Sequence, residues 1–161
     1  MLNEEKQLHT EVAIINSTQV RAVGGGDKSG PSPVDRRKKG TKFTLLVDRQ
    51  GMPLVIHAAP ANKSDHNEVL PTVLEFPHIG GQPGRPKECL RKLYADAGYD
   101  SEATRSVLRW LGIHPHIRKR GNPHRGHLGR VRRVVERTIS WVKGLRRMRV
   151  RYDRSKTTID A

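Results

Sequence analysis

Cysteine is nearly missing. Cys89 is the only one in 161 residues, so the chain can form no internal disulfide and no cysteine-based zinc site. Long apolar runs are missing as well. No stretch approaches the roughly 20 residues of a membrane span, and the opening MLNEEKQLHT lacks the apolar core of a secretory signal. A cytoplasmic chain with no membrane partner is therefore expected, and the sequons Asn16-Ser17-Thr18 and Asn62-Lys63-Ser64 carry no glycosylation meaning. Apolar residues make up only 34%, which excludes a thick hydrophobic core. The length is close to the ~150 residues of one domain, so one unit or a fragment of a larger protein is expected, not two domains. Acids are scarce too: 16 Asp and Glu face 31 Lys and Arg, for a net charge of +15.

That charge is concentrated near the end. Between Ile117 and Arg154 stand fourteen basic residues and two acids, Glu136 and Asp153, which is +12 of the +15. A field of this density draws polyanions through phosphate contacts and counterion release, and nucleic acid is the commonest cytosolic polyanion. A solvated basic face is the plainer alternative. Against it, the basic residues alternate with Val131, Val134, Val135, Ile139, Trp141, Val142 and Leu145 as in a packed helix, which the pattern predicts over 130–148.

Upstream, residues 12–23 read as a strand, and GGGDKSGPSP (24–33) as a loop. TKFTLLVD (41–48) and PLVIHAA (53–59) read as a hairpin turning at Arg49, Gln50 and Gly51. Asp65 and Glu68 have capping-box spacing for a helix through Leu74, although Pro71 is expected to kink it or restrict it to short turns. After the glycine- and proline-rich IGGQPGRPK, the segment KLYAD forms a short strand ending at Asp96. Ser101 caps a helix that turns Val107, Leu108 and Leu111 inward and stops at Gly112, and HPHIRK follows as a strand. The order predicts a mixed α and β domain.

Two motifs fail on inspection. Lys28-Ser29 lacks the GxxxxGK spacing of a phosphate loop and is preceded by Asp27. His114, His116, His124 and His127 have no second ligand cluster, so they read as surface histidines. Asp96 is more informative, since it sits where a short apolar strand gives way to a glycine turn. Capping the next helix is the ordinary role for Asp96 or Asp100 there. Glu136 is the only acid of the basic helix, with Arg132 and Lys143 four and seven residues away along one face. A salt-bridged face would account for that. A lone acid in so basic a field is also what an enzyme needs to hold a cation and a phosphodiester together.

Taken in order, AIINSTQVRA (13–22), KSGPSPVDRRKKGTK (28–42), LLVDRQGMPL (45–54), LYADAGYDS (93–101) and VVERTISWVKGLRRMRVRYDR (134–154) resemble the DDE transposases of bacterial insertion sequences. The resemblance implies an α/β, RNase H-like fold: a mixed five-stranded sheet flanked by helices. It implies a single catalytic domain over 1–161, a truncated or degenerate copy without the family's amino-terminal DNA-binding region and carboxy-terminal helix. The implied function is DNA transposition, by metal-dependent cleavage and strand transfer at insertion-sequence ends. Two Mg²⁺ or Mn²⁺ ions activate a water or a DNA 3′ hydroxyl for in-line attack.

Carried over residue by residue, the second and third carboxylates fall on Asp96 and Glu136, and the first on Asn16. Arg132 and Lys143 occupy positions that contact the DNA end, while the tyrosine seven before the glutamate is replaced by Gly129. An amide at position 16 offers a carbonyl oxygen to a metal but removes one negative charge, so a weakened metal site and impaired activity are expected. Arg146, Arg147 and Arg149 are expected on the phosphate surface. The partners implied are insertion-sequence ends, target DNA and further copies of the chain, in the bacterial cytoplasm at the nucleoid. The competing reading is a non-catalytic nucleic-acid-binding module that uses the basic 117–154 segment.

Overall fold

Strand β1 (Val12–Ala22) alternates its side chains across a sheet that is buried on both sides. Ala13 and Ile15 point to one face, and Ile14 to the other. The computed structural model describes residues 9–77, 79–82, 85–119, 121 and 128–160, without the side chains of 79–82, 85–88, 128–131, 147 and 160. Beside β1 lie β2 (Lys39–Val47), β3 (Pro53–Pro60), β4 (Lys92–Ala95) and β5 (His114–Ile117), in the order β3-β2-β1-β4-β5. The β1–β2 and β2–β3 pairs are antiparallel, whereas β1–β4 and β4–β5 are parallel. Two-residue pairings extend the sheet: Gly30–Pro31 beside the start of β2, and Val150–Arg151 beside the end of β1.

The helices are α1 (Asp65–Leu74), α2 (Glu102–Trp110), α3 (Leu128–Val142) and α4 (Lys156–Asp160). One core layer joins Ala13, Ile15, Leu46 and Leu93 to Val69 and Val73 of α1 and Leu108 of α2. The other joins Ile14, Phe43, Leu45 and Val47 to Val135 and Val142 of α3. The sheet thus divides a modest apolar content into two thin layers. The run Leu45, Leu46, Val47 is fully buried because β2 is covered on both faces. Among the described residues, no helix is long and apolar enough to cross a membrane.

Several local expectations are corrected. The first helix begins after Ser64 instead of being capped by Asp65, whose carboxylate is taken by Lys42 and Ser17. Pro71 lies inside α1 without ending it. In α2, Val107 and Leu111 are each 38% exposed, and the inward residues are Thr104, Arg105 and Leu108. Arg105 tolerates burial because it pairs with Asp100 at 2.7 Å and donates to the Ile117 carbonyl at 2.8 Å. The glycine- and proline-rich stretch forms a two-stranded ribbon, Ile79–Gln82 with Arg85–Glu88. The last long helix stops at Val142, not 148, and is followed by a 3-10 turn at Arg146–Met148. Gly144 breaks it, and Arg151 draws the chain back to β1. The Arg151 guanidinium is buried, donating to the carbonyls of Asp27 at 2.7 Å and Gly25 at 2.8 Å. Burial lowers its pKa, an effect opposed by Asp153 and Asp27. Arg151 therefore belongs to the fold and not to the exposed basic field.

Candidate active site

Parallel pairing of β1 with β4 runs from Val12↔Lys92 to Ile14↔Tyr94. Continued two residues further, that register sets Asn16 beside Asp96. Both follow residues of the α3 layer, Ile14 and Tyr94, by two positions, so alternation turns them toward α3. Strand β4 stops at Ala95 while β1 continues to Ala22, which leaves a crevice at the carboxyl end of β4. Asn16, Tyr94, Asp96, Arg132 and Val135 line it.

The two oxygens of Asp96 do different work. Oδ1 accepts from the Ala97 amide at 2.6 Å and caps a 3-10 turn, Ala97–Tyr99, so the ordinary capping role is present. Oδ2 lies 3.5 Å from Arg132 Nη2, and the same nitrogen lies 3.4 Å from Glu136 Oε1. Asp96 and Glu136, from a strand end and a helix, therefore meet on one guanidinium. Asn16 lines the crevice, but its Oδ1 accepts from the Ser17 amide at 2.8 Å.

Helix α3 is fixed by neighbours of Glu136. Arg137 Nη2 donates to the Gln50 carbonyl at 2.7 Å and Thr138 Oγ1 to the Gly51 carbonyl at 2.7 Å. Those carbonyls sit in the β2–β3 turn, where the fully buried Asp48 accepts through Oδ1 from the amides of Gln50, Gly51 and Met52. Sequence reasoning missed Asp48, Arg137 and Thr138; the LLVDRQG turn placed against VVERT was the available signal.

A second polar cluster lies behind the crevice on the α1 face. The buried Lys42 ammonium donates to the Lys63 carbonyl and to Asp65 Oδ1 at 2.6 Å, and the Ser17 hydroxyl donates to the same oxygen at 3.0 Å. The Tyr99 hydroxyl is buried with no acceptor in hydrogen-bond geometry. Burial pushes it well above the usual phenol range; the neighbouring Ser17 hydroxyl opposes the shift, and the charges of Asp65 and Asp96 add to it.

The other expected positions are spread around α3. Lys143 and Arg149 line a shallow cavity of about 370 Å³ with Gln19 and Ser140, apart from the acid pair. Arg149 Nε donates to the Lys143 carbonyl at 3.0 Å. Arg146 borders an apolar cavity of about 640 Å³ beside Phe43 and Trp141. Gly129 stands in the first turn of α3, while the side chain of Arg147 and all of His124 and His127 lie outside the described residues. His114 and His116 are exposed on β5, and His116 stacks on Tyr94 with ring centroids 4.5 Å apart. Partial burial, then His114 and Lys92, lowers the His116 pKa.

The donor set fits a cation: two carboxylates from different elements already converge on a positive nitrogen. It does not supply a third acid, and among the described residues no three His, Cys, Asp or Glu side chains group as metal ligands.

The model of the transposase DDE domain matches residues 7–158. The chain belongs to the DDE transposase family. It is 43% identical over 130 residues to a putative transposase for insertion sequence element IS402 from Burkholderia cepacia, across 81% of this chain and 62% of that one. The domain thus spans less than two thirds of that relative's length. Among solved structures, the intasome of simian T-cell lymphotropic virus, in complex with PP2A regulatory subunit B56 gamma, aligns with a TM-score of 0.53 at 14% identity. It covers 86% of this chain and 40% of that one. The Mos1 mariner paired end complex with Mn aligns at 0.42 and 11% identity, over 94% and 59%. The fold of this DDE transposase domain is RNase H-like, with its mixed sheet between α1 and α2 on one side and α3 on the other.

Proposed function

We propose that the chain acts as the catalytic domain of an insertion-sequence transposase, binding element-end and target DNA and holding a divalent cation at Asp96 and Glu136. The meeting of these two carboxylates at one positive nitrogen carries the reading. Bound Mg²⁺ or Mn²⁺ would polarise a phosphodiester and acidify an attacking water or 3′ hydroxyl. Asp96 Oδ2 and Glu136 supply the negative charge for it, and Asn16 supplies at most a carbonyl after releasing the Ser17 amide. Loss of the third charge weakens the site for two ions and slows cleavage and strand transfer. Arg132, Lys143, Arg146, Arg147 and Arg149 hold backbone phosphates, which position DNA without reading much sequence. Self-association on DNA and a cytoplasmic, nucleoid-bound location follow from the same reading.

Mn²⁺ calorimetry tests it. Asn16→Asp should bind Mn²⁺ more tightly than the unaltered chain, and Asp96→Asn should lose binding. Equal affinity in the unaltered chain and Asp96→Asn would reject the site. A second reading, a nucleic-acid-binding module without catalysis, is favoured by one observation: Arg132 already sits between the two acids. It predicts salt-sensitive DNA binding with no Mn²⁺ binding by any variant.

A further inference from the structure

Arg132 stands in an unusual relation to the two acids. It reaches both through one nitrogen, at 3.5 and 3.4 Å, which is long beside the 2.7–2.9 Å or so of a strong charge-assisted pair. Its side chain is 39% exposed, and ion pairs of this length and exposure are held weakly. It is thus a cation resting where the acids would hold a metal, on a side chain long and accessible enough to leave. Arg137, five residues further along, is already committed to the Gln50 carbonyl.

We infer that Arg132 is an internal counter-ion that couples the two ligands of the site: it competes with a divalent cation for Asp96 and Glu136, and a DNA phosphate draws it away. The inference rests on the cation-site reading above. A guanidinium matches a phosphate in bidentate geometry, which neither acid offers it here. With its charge moved to the phosphate, the acid pair regains its full negative charge. The cation then binds more tightly, and by thermodynamic reciprocity the cation strengthens DNA binding. Without DNA, the site stays neutralised and holds metal poorly, which restrains cleavage by unassembled protein.

The test measures Mn²⁺ affinity of the full chain, Arg132→Gln and Arg132→Lys, each with and without a short DNA duplex, correcting for Mn²⁺ bound by the duplex alone. Without DNA, Arg132→Gln should bind Mn²⁺ at least about fivefold more tightly, the lower end of ordinary coupling. Arg132→Lys, which keeps the charge, should stay near the unaltered chain. DNA should tighten Mn²⁺ binding by the unaltered chain and change Arg132→Gln little. Equal affinities for the unaltered chain and Arg132→Gln overturn the inference but leave the cation site standing, as does an equal gain from DNA in both. If Arg132→Lys binds as tightly as Arg132→Gln, charge is not the cause and the inference also fails. Absence of Mn²⁺ binding in every form, including Asn16→Asp, removes the cation site itself.

Discussion

Thr138 donates its hydroxyl to the carbonyl of Gly51 at 2.7 Å, joining α3 to the β2–β3 turn two residues after Glu136. Both ends of this bond are fixed. Gly51 adopts φ +97, and a Cβ there would meet Thr138 Oγ1 at 2.9 Å, so the turn admits glycine and little else. Thr138→Val keeps the shape and removes the donor. It should cost about 1–2 kcal/mol, measured by urea unfolding. An unchanged midpoint would mean that the Arg137–Gln50 bond and the packing of Val135 and Val142 hold α3 without it.

Asp48 orders the other side of that contact. Its Oδ1 satisfies three amides and Oδ2 accepts from the His9 amide at 3.3 Å. Asp48→Ala leaves these donors without their partner and should destabilise by about 3 kcal/mol or more. Asp48→Asn preserves one acceptor oxygen but presents an NH₂ to the His9 amide, so its cost should be clearly smaller. Unfolding curves of the two variants give the order directly; a reversed order would remove the turn-organising role.

The acids were legible in the sequence because each stands at a local signal: Asp96 ends an apolar strand before a glycine turn, and Glu136 is alone among bases. The succession of strands and helices along the chain followed from alternation and turn residues in the same way. Other features depend on distant partners and left no local trace. The pairing of Arg132 with Glu136 was legible from their four-residue spacing on one helix face, but the reach of Arg132 to Asp96 emerges only when α3 is laid beside the end of β4. Arg151, also counted in that field, is buried because Gly25 and Asp27 offer it carbonyls from more than 120 residues away. Apolar spacing turned Val107 and Leu111 inward, but the burial of Arg105 beside Asp100 rotates α2 so that they face out.

Lys42 is the clearest case of a residue whose charge the composition hides. Its side chain is 5% exposed and pairs with Asp65, which is 35% exposed. Lys42→Met should destabilise by about 3 kcal/mol, the low end for breaking a buried pair, since water can still reach Asp65. The double variant with Asp65→Asn should recover part of that loss, because no unpaired charge remains. Strict additivity in a double-mutant cycle would show that the two side chains do not interact.

Tyr99 gives the domain an alkaline limit of its own. Burial, with Asp65 and Asp96 adding to it, holds the folded hydroxyl protonated far above the unfolded value of 10.0. A raised folded pKa contributes its stability fully below about pH 10 and loses it as the pH climbs toward the folded pKa, because only the unfolded chain ionises there. The loss approaches about 1.4 kcal/mol for each pH unit above 10. Tyr99→Phe removes the group, and since the buried hydroxyl has no acceptor the variant should be about as stable as the parent at pH 8. At pH 11 the variant should be the more stable of the two, with the other titrating side chains common to both cancelling in the difference. Equal differences at pH 8 and pH 11 would mean that the hydroxyl reaches water in the folded state, contrary to its position under Ser17 and Asp65.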